Sequence, residues 1–119
     1  MIDYNKINEL IKNASNVIIT AHKDIDLDAL GSILGMYYIV SNAKKTAYIV
    51  IEDDKSEPEV RRALSKVSRL DKVKPFRYSQ ILDQVNDNTL LVIMDTSSIN
   101  RLQNIELLNI KNKILLDHH

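Results

Sequence analysis

An α/β fold is predicted: a parallel sheet of about five strands with helices on both faces. Three observations predict it. Short unbroken apolar runs at 17–21, 90–94 and 114–116 read as strands buried on both sides, not as half-exposed strands that alternate. Stretches of helical period separate them, and strands alternating with helices build parallel sheets. Only two glycines and two prolines occur in 119 residues, so no flexible linker divides the chain and one domain is expected.

The elements follow in order. Ile2, Ile7, Leu10 and Ile11 recur at helical spacing and predict a first helix over residues 3–14. Residues 17–21 form the first strand. Asp28 or its neighbours cap a second helix, whose apolar positions Leu30, Ile33, Leu34, Tyr37 and Tyr38 continue to Val40. Residues 46–51 form a second strand, closed by the acidic turn Glu52-Asp53-Asp54. Residues 57–70 form a polar-faced helix with Val60, Leu64 and Val67 inward and Pro58 tolerated in its first turn. A short strand at 72–76, a helix at 78–86, a strand at 89–94, a helical turn at 106–108 and a last strand at 113–116 complete the series.

Composition excludes several functions. Sixteen basic residues balance sixteen acidic ones, so no global field draws the chain to nucleic acid or membrane. Without cysteine there is no disulfide, no thiolate metal site and no thiol nucleophile, which fits a reducing cytosol. No apolar run approaches the roughly 20 residues of a membrane span, and no signal peptide is visible. Tyr4, Tyr37, Tyr38, Tyr48 and Tyr78 make no stacking stripe, and Lys44-Lys45 and Arg61-Arg62 read as solvated helix faces. No groove for long nucleic acid is therefore expected. The chain stops at His119 directly after a strand, which reads as a piece of a longer protein.

Chemistry concentrates at strand ends. The first strand runs into His22-Lys23-Asp24-Ile25-Asp26-Leu27-Asp28-Ala29-Leu30-Gly31-Ser32. The apolar run 90–94 ends in Asp95, and the final one, 114–116, in Asp117-His118-His119. Ligands collect beyond the carboxyl ends of parallel strands, so the fold itself predicts that these groups converge. Crowded carboxylates repel unless a cation lies among them. One aspartate alone is more often a cap; His22, Asp26 and Asp28 together behind a buried strand point to a site. Asp26 and Asp28 flank Leu27, so an extended loop turns both to one pocket while Leu27 packs away. Asp24 reads as a solvated or capping residue, and Lys23 and Ile25 are not ligands. Gly31 with Ser32 lets backbone approach an anion near the helix start, although a glycine there is also an ordinary packing contact. Thr96-Ser97-Ser98 is a capping run or a phosphate-contacting loop. The terminal histidines have a rival explanation in a purification tag, against which stand the strand and aspartate that precede them without a linker.

Imidazole plus carboxylates without thiolate suits manganese or a similar divalent ion better than structural zinc. Three ligand carboxylates against two divalent ions leave positive charge for a hydroxide and a phosphate, and ions about 3.5–4 Å apart are the usual device for in-line attack on a phosphoester.

His22-x3-Asp26-x-Asp28-Ala29-Leu30-Gly31-Ser32, then Asp95-Thr96, then Asp117-His118-His119, resemble the first three motifs of the DHH phosphoesterases over residues 16–119. Within that family the wording is most similar to the GdpP-type cyclic-di-AMP phosphodiesterases, bacterial membrane-anchored proteins whose catalytic part is cytosolic. Asp95-Thr96-Ser97 departs from the Asp-Thr-His of the nearest members, and the oligoribonuclease and pAp-phosphatase branch shares the same motifs. The resemblance implies two manganese ions: His22 and Asp26 on one, Asp28 and His118 on the other, Asp95 bridging. It implies His119 against the scissile phosphate, Asp117 orienting its neighbouring histidine, and Gly31, Ser32 and Thr96 at the substrate. Hydroxide held between the ions would attack phosphorus and open a cyclic dinucleotide. A small nucleotide is the expected partner, and a homodimer is the expected state of the full-length protein. The fourth motif's aspartate and the glycine-rich second domain of the family are missing from residues 1–119, so the piece is expected to fold yet be catalytically crippled. Two other readings stand beside this: a non-catalytic nucleotide-binding domain, and a response-regulator-like domain, which calls for a lysine where Asp117-His118-His119 stand.

Overall fold

The computed structural model describes residues 4–52, 57–94 and 102–116. The chain alternates helix and strand: α1 (Tyr4–Asn13), β1 (Asn16–Ala21), α2 (Leu27–Asn42), β2 (Ala47–Val50), α3 (Pro58–Asp71), β3 (Pro75–Phe76), α4 (Tyr78–Ile81), β4 (Thr89–Met94) and β5 (Asn112–Leu116), with 3-10 turns at Leu82–Gln84 and Ile105–Asn109. The five strands make one sheet in the order β3-β2-β1-β4-β5. Every pairing is parallel, as predicted. The central pair is the longest, with Asn16 opposite Thr89 through to Ala21 opposite Met94.

Side chains alternate across a strand, and β1 and β4 are buried at every position because both faces are covered. Val17, Ile19 and Ala21 join Leu90, Val92 and Met94 on one face, under α1, α2 and Val60 of α3. Ile18, Leu91 and Ile93 face the other way, onto Tyr78, Ile81, Leu102, Leu107 and Ile110. Each fully buried isoleucine contributes about 1.5–3 kcal/mol of transfer free energy. Polar groups at the strand starts are satisfied: Thr89 Oγ1 donates to Asn16 Oδ1 (2.6 Å), whose Nδ2 donates to the Gln84 carbonyl (2.7 Å).

Several boundaries move from the sequence expectation. The expected strand at 72–76 is two residues long, because Lys72 adopts the left-handed conformation that ends α3 (φ 60°). The expected helix at 78–86 is one α turn followed by a 3-10 turn. Helix α2 runs on to Asn42, and Asp26, neither Asp24 nor Asp28, caps it.

Topology fixes where a site belongs. The connection leaving β1 is α2, packed on the first face, whereas Leu102, Leu107 and Ile110 of the connection leaving β4 pack on the second. Adjacent strands whose outgoing connections part to opposite faces open a crevice at their carboxyl ends. That crevice lies between β1 and β4.

Candidate functional site

His22 follows β1 at this crevice. Its backbone forms an isolated antiparallel bridge with Leu102. Its Nδ1 pairs with the carbonyl of Lys23, an acceptor, so the neutral ring that suits this contact carries its proton on Nδ1 and has its lone pair on Nε2. That is the tautomer a metal-ligating imidazole needs. The turn to α2 passes through Asp24, which has positive φ (56°), and Ile25, which is buried and anchors the turn in the core.

Asp26 and Asp28 do not flank an extended segment. Asp26 is extended (φ −98°, ψ −179°) and its Oδ1 accepts from the Ala29 N–H at 2.8 Å, closing the amino end of α2. Leu27 begins the helix, so Asp28 lies in its first turn, where the helix dipole favours a carboxylate. Leu27 does not pack away; it is 49% exposed, because that helical position faces outward.

A cavity of about 440 Å³ opens beside this helix start. Asp28, Gly31 and Ser32 line it from α2, Ile7 from α1, and Met94 and Leu116 from the ends of β4 and β5. Gly31 occupies the second turn, and no heavy atom lies within 4 Å of where a Cβ would project. The carboxyl ends of β4 and β5 thus reach the cavity through Met94 and Leu116, whereas His22, which follows β1, is tied to Leu102 and Gln103 and does not line it. Asp95, Thr96, Asp117, His118 and His119 lie outside the described residues. Among the described residues no three His, Asp or Glu side chains gather closely enough to hold a metal ion. The described donors, one imidazole with Nε2 open and two carboxylates at a helix start, fit a divalent cation in chemistry but do not complete a shell.

Sequence reading missed the polar scaffold on the far side of His22. Gln103 is 6% exposed, and its Nε2 donates to the His22 carbonyl at 3.0 Å. Its Oε1 accepts from Glu52 N–H at 2.8 Å, and its own N–H donates to the Ala21 carbonyl at 3.2 Å. Glu52 Oε2 accepts from Asn104 Nδ2 (2.8 Å) and Tyr78 N–H (3.1 Å), with Arg77 3.8 Å from Oε1. Nothing in the local pattern separates Gln103 from a surface glutamine, since its partners are 51 and 81 residues away. Close by, burial raises the Tyr78 phenol pKa, and the Glu106 charge adds to the shift.

An all-parallel α/β domain with histidine and carboxylates at a switch point is the class that fold and site define. The chain belongs to the DHH family: the model of the family's N-terminal domain matches residues 16–119. Among curated proteins it is 32% identical over 116 residues to the cyclic-di-AMP phosphodiesterase PdeA of Listeria monocytogenes, covering 95% of this chain and 18% of that protein. It is 28% identical, with the same coverage, to the cyclic-di-AMP phosphodiesterase GdpP of Bacillus subtilis. A membrane protein–large ribosomal subunit bL9 fusion protein of Aster yellows witches'-broom phytoplasma is 29% identical over 117 residues, 93% of this chain and 14% of that one. The chain therefore spans less than a fifth of the length of these relatives. An exopolyphosphatase-related protein of Bacteroides fragilis shares the fold, with a TM-score of 0.71 at 20% identity over 97% of this chain and 34% of that chain. Among the described residues no helix is long and apolar enough to cross a membrane.

Proposed function

We propose that this chain is the metal-holding part of a manganese-dependent phosphodiesterase that hydrolyses a cyclic dinucleotide of the cyclic-di-AMP class. The observation that carries the reading is the motif His22-x3-Asp26-x-Asp28 at the β1 end of the switch point, in a chain similar to two cyclic-di-AMP phosphodiesterases. In this reading His22 and Asp26 would hold one ion, Asp28 and His118 the other, and Asp95 would serve both. Two manganese ions, when bound, supply a nucleophilic hydroxide and neutralise charge on the phosphoryl group. His119 binds the scissile phosphate and Asp117 orients the histidine beside it, while Gly31, Ser32 and Thr96 contact substrate. Asp26 Oδ1 caps α2, so Oδ2 would be the oxygen offered to the cation.

The same reading makes the chain a cytosolic part of a membrane-anchored bacterial protein that works as a homodimer, with a small nucleotide as its partner. The test is hydrolysis of cyclic-di-AMP, linear pApA and pAp with manganese, by this chain and by Asp28→Ala. Slow turnover of the cyclic substrate, lost in the variant and on chelation, is expected. Turnover of the linear substrates alone moves the protein to the oligoribonuclease branch, and manganese binding without turnover even in a longer chain that carries the family's fourth motif and second domain makes it a nucleotide-binding domain.

A further inference from the structure

We infer that Gln103 is a positioning residue for His22, fixing the imidazole with its proton on Nδ1 and its Nε2 open. The inference rests on the reading of His22 as a metal ligand, but the clamp itself is geometric.

The turn from His22 to Asp26 is tied at both ends. At its far end Asp26 caps α2, and in its middle Ile25 is 1% exposed. At its near end the buried Gln103 carboxamide takes the His22 carbonyl on Nε2 and the Glu52 N–H on Oε1. A primary amide suits this position because one partner is an acceptor and the other a donor, and glutamine offers both at one planar group. Backbone bonds around it, from Gln103 N–H to the Ala21 carbonyl and across the Leu102–His22 bridge, hold residues 102–103 against the end of β1. With the His22 carbonyl pinned, the peptide to Lys23 keeps one orientation, and the Lys23 carbonyl stays where His22 Nδ1 donates to it. The group opposite a ligand's second nitrogen sets the tautomer, so Gln103 acts on Nε2 through the backbone without touching a metal. Glu52, held by Asn104 and Tyr78, fixes the other side of the carboxamide.

Two variants separate this role from simple packing. Gln103→Glu keeps the length and sets an oxygen against the His22 carbonyl; Gln103→Met keeps the shape and removes both bonds. Long-range proton–nitrogen correlation spectra near pH 8.5, about two units above the ordinary histidine value, report the neutral tautomer directly. The His22 signal is assigned by its loss in His22→Ala. Wild-type His22 is expected as the Nδ1–H form, and both variants as the Nε2–H form or a mixture, with manganese affinity about tenfold weaker by electron paramagnetic titration. Wild-type His22 in the Nε2–H form overturns the inference, as does an unchanged tautomer in the folded variants. A tautomer shift with unchanged manganese affinity also overturns it and leaves the metal site standing. The tautomer shift in a protein that binds no manganese upholds the clamp and sinks the metal reading instead. If neither variant folds, the wild-type spectrum alone decides.

Discussion

Asp26 and Asp28 stand two residues apart, and their carboxylates meet different surroundings. Asp26 Oδ1 accepts the Ala29 N–H, one of the orphan donors at the start of α2; Asp28 lines the cavity from the first turn. Removing the cap by Asp26→Ala should cost about 1 kcal/mol. Asp28→Ala loses only a dipole contribution of about 0.3–1 kcal/mol at an exposed first turn. Thermal unfolding in chelator should therefore place Asp26→Ala below Asp28→Ala, and an equal loss would mean the cap bond contributes nothing. The residue scale is also where sequence reading reached furthest and fell shortest. That His22, Asp26 and Asp28 follow the end of β1 was legible, because a buried strand has no use for charge at its end. Which aspartate caps was not, since the choice depends on where α2 begins, and Leu27 gave no sign that the helix starts with it. Gln103 and Glu52 were invisible because their partners are brought together only by the sheet.

Helix ends show the same limit one scale up. Strands β1 and β4 were read nearly to the residue because both are buried on both faces and so appear as unbroken apolar runs, whereas β3 was expected three residues too long. Helix endings usually announce themselves by glycine, and here they do not. At the end of α2, Lys45 N–H donates to the Val40 carbonyl (3.2 Å) and Lys44 N–H to the Ser41 carbonyl (2.9 Å), the paired bonds of a Schellman closure. The left-handed position in that closure is Lys44, with φ 61°, and α3 ends likewise on Lys72. An L side chain pays a steric cost there that glycine avoids. Lys44→Gly should raise stability by roughly 0.5–1 kcal/mol, net of the greater freedom it gives the unfolded chain. Urea unfolding measures this directly. Because Lys45 Nζ, not Lys44, reaches the Ala14 carbonyl, the substitution leaves that side-chain bond intact. A destabilised Lys44→Gly would show that the closure tolerates lysine without strain.

Across the whole molecule, the order β3-β2-β1-β4-β5 places β1 beside β4 with their outgoing connections on opposite faces. A chain of strands and helices read in sequence order predicts the layers but not this neighbour relation, because parallel strands far apart in sequence pair through the sheet and not through a turn. The relation has an energetic consequence if the strand ends share ions. A cation bound by groups that only the folded state brings together stabilises that state by RT ln(1 + [L]/Kd), about 2.7 kcal/mol at a hundredfold excess over Kd. The unfolded chain keeps the same aspartates and histidines but holds them apart, so it competes weakly. The melting temperature of the whole chain should climb with the logarithm of manganese concentration and return on chelation. In Asp28→Ala the slope should flatten, whereas in Lys44→Gly the curve should shift upward with its slope intact, since Lys44 lies at the opposite end of α2. A melting temperature indifferent to manganese would mean the strand ends do not share a cation. The proposed catalytic role would then lose its physical basis, however well the motif reads.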